Sequence, residues 1–139
     1  MNQLSDISVR VEQRPTEQVV AVLNEIESLL QDLIRTDQAG AIDLRSLPLF
    51  PGDYDMLKQL LGEGEVSATM QAMGPSYIQE TLVPGVWWVS HRNDDGEKIS
   101  EYIEVTRIPS LLKTTTPDLA DAPAGIQQLI TQFLNQQHE

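Results

Sequence analysis

Four carboxylates, two adjacent indoles and a histidine are the residues of this chain whose types and spacing could do chemistry. Glu63 and Glu65 alternate with Gly62 and Gly64 in LGEGEV, Glu80 and Glu101 lie on later segments, and Trp87 and Trp88 stand between those two. A pair of carboxylates facing across a cleft would serve hydrolysis, and carboxylates with histidine at helical or strand spacing would hold a metal. The chain has 2 histidines, His91 and His138, and neither stands at ligand spacing from these acids. His91 instead reads as a solvent-edge residue near a hairpin end. No nucleophile elbow or Ser-x-x-Lys pattern is present. The glycines of LGEGEV also fail as a phosphate loop. Such a loop runs from strand to helix so that helix N–H groups meet the anion, whereas here a helix precedes a strand and two acids flank the turn. Gly62 more simply ends the helix and Gly64 turns the chain.

Strand parity raises a different question about Glu80. In SYIQETL, residues Ile78, Glu80 and Leu82 share one face, so Glu80 turns toward the apolar side, where an unpaired carboxylate is costly. It requires a partner: Arg92, Arg107, the backbone at Gly62–Gly64, or an indole N–H. Either it is a structural acid, or it recognises an amide or basic group on another chain. Trp87 and Trp88, being adjacent on a strand, point to opposite faces, so one can be core while the other meets solvent and anchors an interface. The partner-binding candidates are therefore Glu63, Glu65, Glu80, Thr81, Trp87 and Trp88. No residue is assigned a catalytic, cofactor-binding or metal-binding role.

The elements that must position these residues follow from periodicity. Ile7, Val9 and Val11 alternate with polar residues as in a short strand. Residues 15–38 form an amphipathic helix, with Val19, Val22, Leu23, Ile26, Leu29, Leu30, Leu33 and Ile34 on one face, Val20 off it, and Gly40 as the terminating glycine. Ile42–Leu44 reads as a brief extended passage. Asp53 can cap a short helix ending at Gly62. Val66, Ala68, Met70 and Ala72 alternate with Glu65, Ser67, Thr69 and Gln71, which gives a one-sided strand. Pro84-Gly85 turns into VWWVSHR, and Asn93–Gly96 closes a hairpin with KISEYIEV. Setting Arg92 opposite Glu97 places Trp88 opposite Glu101 and Trp87 opposite Tyr102. Residues 110–123 read as a surface connection with one helical turn at its start. Residues 124–137 form a second amphipathic helix, with Ile126, Leu129, Ile130, Phe133 and Leu134 against an uncharged face of Gln127, Gln128, Gln132, Asn135 and Gln136. The expectation is an α+β fold over one domain, residues 1–139, with 42–109 as its central region: an antiparallel sheet of about four strands against N-terminal and C-terminal helices.

Composition narrows the partner. The chain has 139 residues, no cysteine and a formal net charge of −12. Thiolate chemistry and cysteine-ligated clusters are unavailable to it. Its field repels nucleic acid and anionic lipid. No window approaches the roughly 18 apolar residues of a membrane span, and no leader pattern opens the chain, so a cytoplasmic location is expected.

Three spaced segments, LPLFPGDYDMLKQLLGEGEV, IQETLVPGVWWV and YIEVTRIPSLL, together resemble the HupH/HyaF-type hydrogenase expression and formation proteins. The resemblance covers about Ile42 to Leu112. Gly62, Gly64, Glu65 and Val66 match its first segment; Glu80, Thr81, Pro84, Gly85, Val86 and Trp87 its second; Glu104, Val105, Ile108 and Pro109 its third. Trp88 occupies a position where the pattern varies. The resemblance implies a non-catalytic chaperone or assembly factor in nickel–iron hydrogenase maturation. Its implied partners are the iron–sulfur small-subunit precursor and other maturation factors, and it uses no cofactor of its own. The alternatives are a structural module that self-associates through a sheet edge or the glutamine-rich helix, and a small-ligand or hydrolytic protein using Glu65 and Glu80.

Overall fold

The computed structural model describes residues 15–71 and 73–138. The strand expected at Ile7–Val11, and Ala72, lie outside them. The chain divides into two compact units, Met1–Arg107 and Ile108–Glu139, where its length suggested one domain.

The first unit is an antiparallel sheet with two helices, α1 (Glu17–Thr36) and α2 (Pro51–Leu61). Its strands are β1 (Gly40–Asp43), β2 (Ser67–Gln71), β3 (Pro75–Glu80), β4 (Val86–Arg92) and β5 (Lys98–Val105), in the order β1-β5-β4-β3-β2. The α+β class holds, with five strands where about four were expected. The additional strand is β1, drawn from the passage read only as extended. It pairs Gly40 with Val105 and Ile42 with Ile103.

α1 buries Val19, Val22, Ile26 and Leu33 on the face its periodicity marks, while Val20 and, at the last turn, Ile34 are exposed. Thr16 caps it, accepting from Val19 N at 3.3 Å, and donates its hydroxyl hydrogen to Asp53 Oδ1 at 2.9 Å, tying α1 to α2. Asp53 Oδ2 also accepts from Phe50 N at 2.9 Å, so it closes the first turn of α2 from within. The terminating residue of α1 is not Gly40 but Asp37, at φ 57°. Its carboxylate accepts from Arg107 Nε at 2.9 Å. Gly40 starts β1, where an added Cβ would lie 2.7 Å from Leu29 Cδ2.

Both helices bury their apolar residues with Ile42, Val86, Trp88, Ile103 and Val105 on one sheet face. The opposite face carries a smaller cluster of Ile78, Trp87 and Val89, flanked by half-buried Ala68, Met70 and Tyr102. Trp88 thus belongs to the helix-covered face and Trp87 to the other, as parity requires. The β4–β5 register is Trp88 with Ile103 and Trp87 with Glu104, offset by two from the sequence expectation, with an irregularity between His91 and Arg92. An offset of two leaves every side chain on its expected face.

Two tyrosines link this packing to pH. Tyr54 donates to Leu44 O at 3.0 Å, and burial, followed by the nearby Glu101 charge, raises its phenol above 10.0. Burial and then Glu104 do the same to Tyr102. Above pH 10 the unfolded chain gives up these protons first, so their contribution is full below pH 10 and is lost as pH rises through and beyond it. A Tyr54→Phe/Tyr102→Phe chain should show a shallower fall in Tm between pH 10 and 11 than wild type. Parallel curves would refute this.

In the second unit a 3-10 turn, Ser110–Leu112, matches the expected helical turn, and α3 runs from Thr116 to Gln137. α3 starts earlier than residue 124, inside the expected 110–123 connection. The residues read there as loop signals are also helix-start signals: Thr115 accepts from Asp118 N at 3.2 Å, and Pro117 fits the first turn. No residue of α3 is buried.

Candidate functional site

The segments singled out by sequence meet at one end of the sheet, around the carboxylate of Glu80. Its Oε1 accepts from Glu65 N at 3.0 Å and Val66 N at 3.3 Å. The backbone doubles this link: Gly64 N donates to Glu80 O at 2.7 Å, and Glu80 N donates to Val66 O at 2.9 Å. The carboxylate thus takes none of the named side chains but two backbone N–H groups just beyond Gly62–Gly64, the stretch whose backbone was one expected partner. A Cβ at Gly64 would stand 2.5 Å from Glu80 Oε1 and 2.6 Å from Thr81 O, so this close approach requires glycine. Glu80 therefore spends its charge on holding the GEGEV turn against β3.

Thr81, only 3% exposed, closes the next turn. Its hydroxyl donates to Val86 O at 2.8 Å and accepts from Val83 N at 3.1 Å. Gly85, at φ 85°, provides the reversal, and its carbonyl accepts from Thr106 N at 2.9 Å. Trp87 is 7% exposed and donates its indole hydrogen to Thr106 O at 3.2 Å. All three motif segments are thus joined by main-chain and side-chain bonds.

On the helix-covered face, Trp88 is 6% exposed and donates to Glu101 Oε2 at 2.9 Å. Glu101 is 1% exposed; Lys98 Nζ reaches its two oxygens at 3.1 and 3.2 Å, and Lys58 Nζ stands 3.9 Å away. Lys58 also lies 5.2 Å above the Trp88 ring, a cation–π contact. Neither tryptophan is the exposed anchor that parity alone permits, because each indole N–H finds an acceptor inside the fold. Beside Trp88 opens a cleft of about 200 Å³, lined by Lys58, Glu63, Tyr77, Gln79, Trp88 and Ser90 among others. Lys58 and Gln79 escaped the sequence reading. Lys58 lies on the polar side of a short helix, and its one signal was its place a turn before Gly62.

Glu63 and Glu65 are exposed at the turn. His91 is half-buried and bonded through Nδ1 to Ser76 Oγ, several residues along β3 from Glu80. Glu65, Glu80 and His91 therefore do not converge on one point, as a hydrolytic site would require. Among the described residues, no three histidine or acidic side chains are grouped to hold a metal. No helix among them is long and apolar enough to cross a membrane.

Comparison with known proteins places the chain in a family. The family model described as "HupH hydrogenase expression protein, C-terminal conserved region" matches residues 17–133. The hydrogenase expression/formation protein HoxQ of Azotobacter vinelandii is 33% identical over 113 residues, covering 77% of this chain and 39% of that protein. The hydrogenase-1 operon protein HyaF of Escherichia coli K12 is 40% identical over 89 residues, 60% of this chain and 29% of that one. A solved structure, the hydrogenase expression protein HupH from Thiobacillus denitrificans, superposes with a TM-score of 0.81 at 39% identity, covering 86% of this chain and 99% of that chain. The chain spans well under half the length of the curated relatives it matches. With the family model running over all but the ends of the chain and the fold shared, this protein belongs to the family of the HupH hydrogenase expression protein C-terminal region.

Proposed function

We propose that this chain is a non-catalytic accessory factor in nickel–iron hydrogenase maturation, acting in the cytoplasm to hold the iron–sulfur small-subunit precursor. The observation that carries this reading is the structural use of the family's motif residues. Glu80 and Gly64 bind each other and the turn, Thr81 ties Val83 to Val86, and Gly85 and Trp87 both bond Thr106, which suits a rigid presenting surface. What they present is the exposed pair Glu63 and Glu65 beside the Trp88 cleft. In this reading the two acids touch the client, while Glu80, Thr81, Trp87 and Trp88 fix the surface beneath it.

The test is affinity capture from cells expressing a hydrogenase, read by immunoblot for the small-subunit precursor. Wild type should retain the precursor, and Glu63→Lys/Glu65→Lys should retain roughly tenfold less, the loss expected when charges facing a partner are reversed. Absence of the precursor from the wild-type eluate, together with unchanged hydrogenase production in a deletion strain, would sink the reading.

A further inference from the structure

We propose that the outer edge of β2 takes up an extended peptide by strand addition, the peptide carrying apolar side chains at alternate positions and a basic residue beside Glu63 and Glu65. β2 ends the sheet order β1-β5-β4-β3-β2, and no described residue pairs with its outer side. Glu80 N donates to Val66 O, so the Val66 carbonyl points inward across the β2–β3 seam. By antiparallel alternation the pairs Ala68–Ile78 and Met70–Ser76 also bond inward, so the N–H and C=O groups of Ser67, Thr69 and Gln71 point away from the sheet. Gln71 faces Pro75, which has no N–H to offer, and this agrees with the same phase.

Edges of this kind are normally guarded by charge, proline or a bulge. Ser67–Gln71 contains no charged residue and no proline, and its pairing with β3 is regular throughout. The opposite edge, β1, is shorter, begins at Gly40 beneath Leu29, and runs through Asp43 into a 3-10 turn.

Side-chain chemistry specifies what would fit. Val66 is 47% exposed, and Ala68 and Met70 are half-buried in a row that continues the Ile78–Trp87–Val89 cluster to the brink of the sheet. Ser67, Thr69 and Gln71 occupy the other face and are exposed. An added strand would extend both rows, apolar on one face and polar on the other, as in peptide-binding domains that use a sheet edge. Charge selects the occupant. The chain carries −12, with Glu63 and Glu65 exposed just before β2. A second copy would bring like charge to like, whereas a basic segment of another protein is attracted. This inference concerns the mode of binding and does not depend on which protein supplies the segment.

The test uses the full chain and a displayed library of random twelve-residue peptides. Enriched peptides should alternate apolar and polar residues, lack proline within the binding stretch, and carry Lys or Arg at one end. Their affinity, measured by fluorescence anisotropy with a synthetic labelled copy, should fall at least about tenfold on Thr69→Pro, which removes an outward N–H without touching the β2–β3 ladder. It should fall similarly when alternate peptide amides are N-methylated in the phase that donates to β2, and much less in the opposite phase. The peptide arm decides the matter even if Thr69→Pro does not fold. No enriched peptide, equal binding by a folded Thr69→Pro chain, or indifference to the phase of methylation would each overturn the proposal. So would a wild-type dimer that Thr69→Pro returns to monomer, since the edge would then belong to a second copy.

Discussion

Trp88→Ala is expected to lower the unfolding free energy by about 3–5 kcal/mol, the range for deleting a large buried aromatic side chain. The ring is almost fully enclosed between the sheet and α2, so its removal leaves a cavity in the main core. The loss has a second source. Trp88 Nε1 is one of the few donors on the Glu101 carboxylate, and its absence leaves a buried anion to Lys98 and the more distant Lys58. Trp88→Phe isolates that term: it keeps most of the volume, removes the N–H, and should cost about 1–3 kcal/mol. Urea denaturation of both variants checks the scheme. A Trp88→Ala midpoint within error of wild type would show that the indole is not part of the core.

Gly64→Ala should destabilise the chain by about 2–4 kcal/mol, combining the steric penalty of an overpacked contact with weakened charge-assisted hydrogen bonds. The added methyl meets Thr81 O, a backbone atom that cannot swing aside, and the Glu80 oxygen that holds Glu65 N and Val66 N. Because those bonds anchor the start of β2, amide exchange at Val66 and Ala68 should accelerate more than exchange at β5. Glu80→Gln retains an acceptor oxygen and should cost only about 1 kcal/mol. Equal exchange in β2 and β5 of the Gly64→Ala chain would dissociate the turn from the strand it introduces.

The functional consequences of the two substitutions differ. Trp88 supports the cleft from beneath, so under the proposed function Trp88→Phe should leave Glu63 and Glu65 in place and preserve capture of the precursor. Gly64→Ala displaces those two acids together with the β2 edge, and capture should fall even where most chains remain folded.

Particular residues show where sequence reasoning reached and where it stopped. Helix α1 was legible because its apolar face repeats with helical period over five turns, and strand parity correctly separated Trp87 from Trp88. The demand that Glu80 have a partner was likewise legible, since a carboxylate on an apolar strand face cannot stand alone. Which partner it takes was not, because Gly62–Gly64, Arg92 and Arg107 are distant in sequence and only folding ranks them. β1 was missed as a strand for the same reason: four residues carry too little pattern, and its evidence is the pairing with β5. The start of α3 was misplaced because proline, threonine and aspartate signal loops and helix beginnings alike.

The order of local elements, the faces of the strands, the acidity of the surface and the membership of three spaced motifs in one family were determined by the amino-acid sequence itself. All of these are set by short-range periodicity, by net charge or by the spacing of residue types along one segment. Only the tertiary structure decided that both indoles are internal, that the Glu80 carboxylate clamps a turn, and that β2 ends the sheet among the described residues. Each of those depends on hydrogen bonds between residues far apart in the chain, and which donors and acceptors find one another is fixed by how the sheet is assembled.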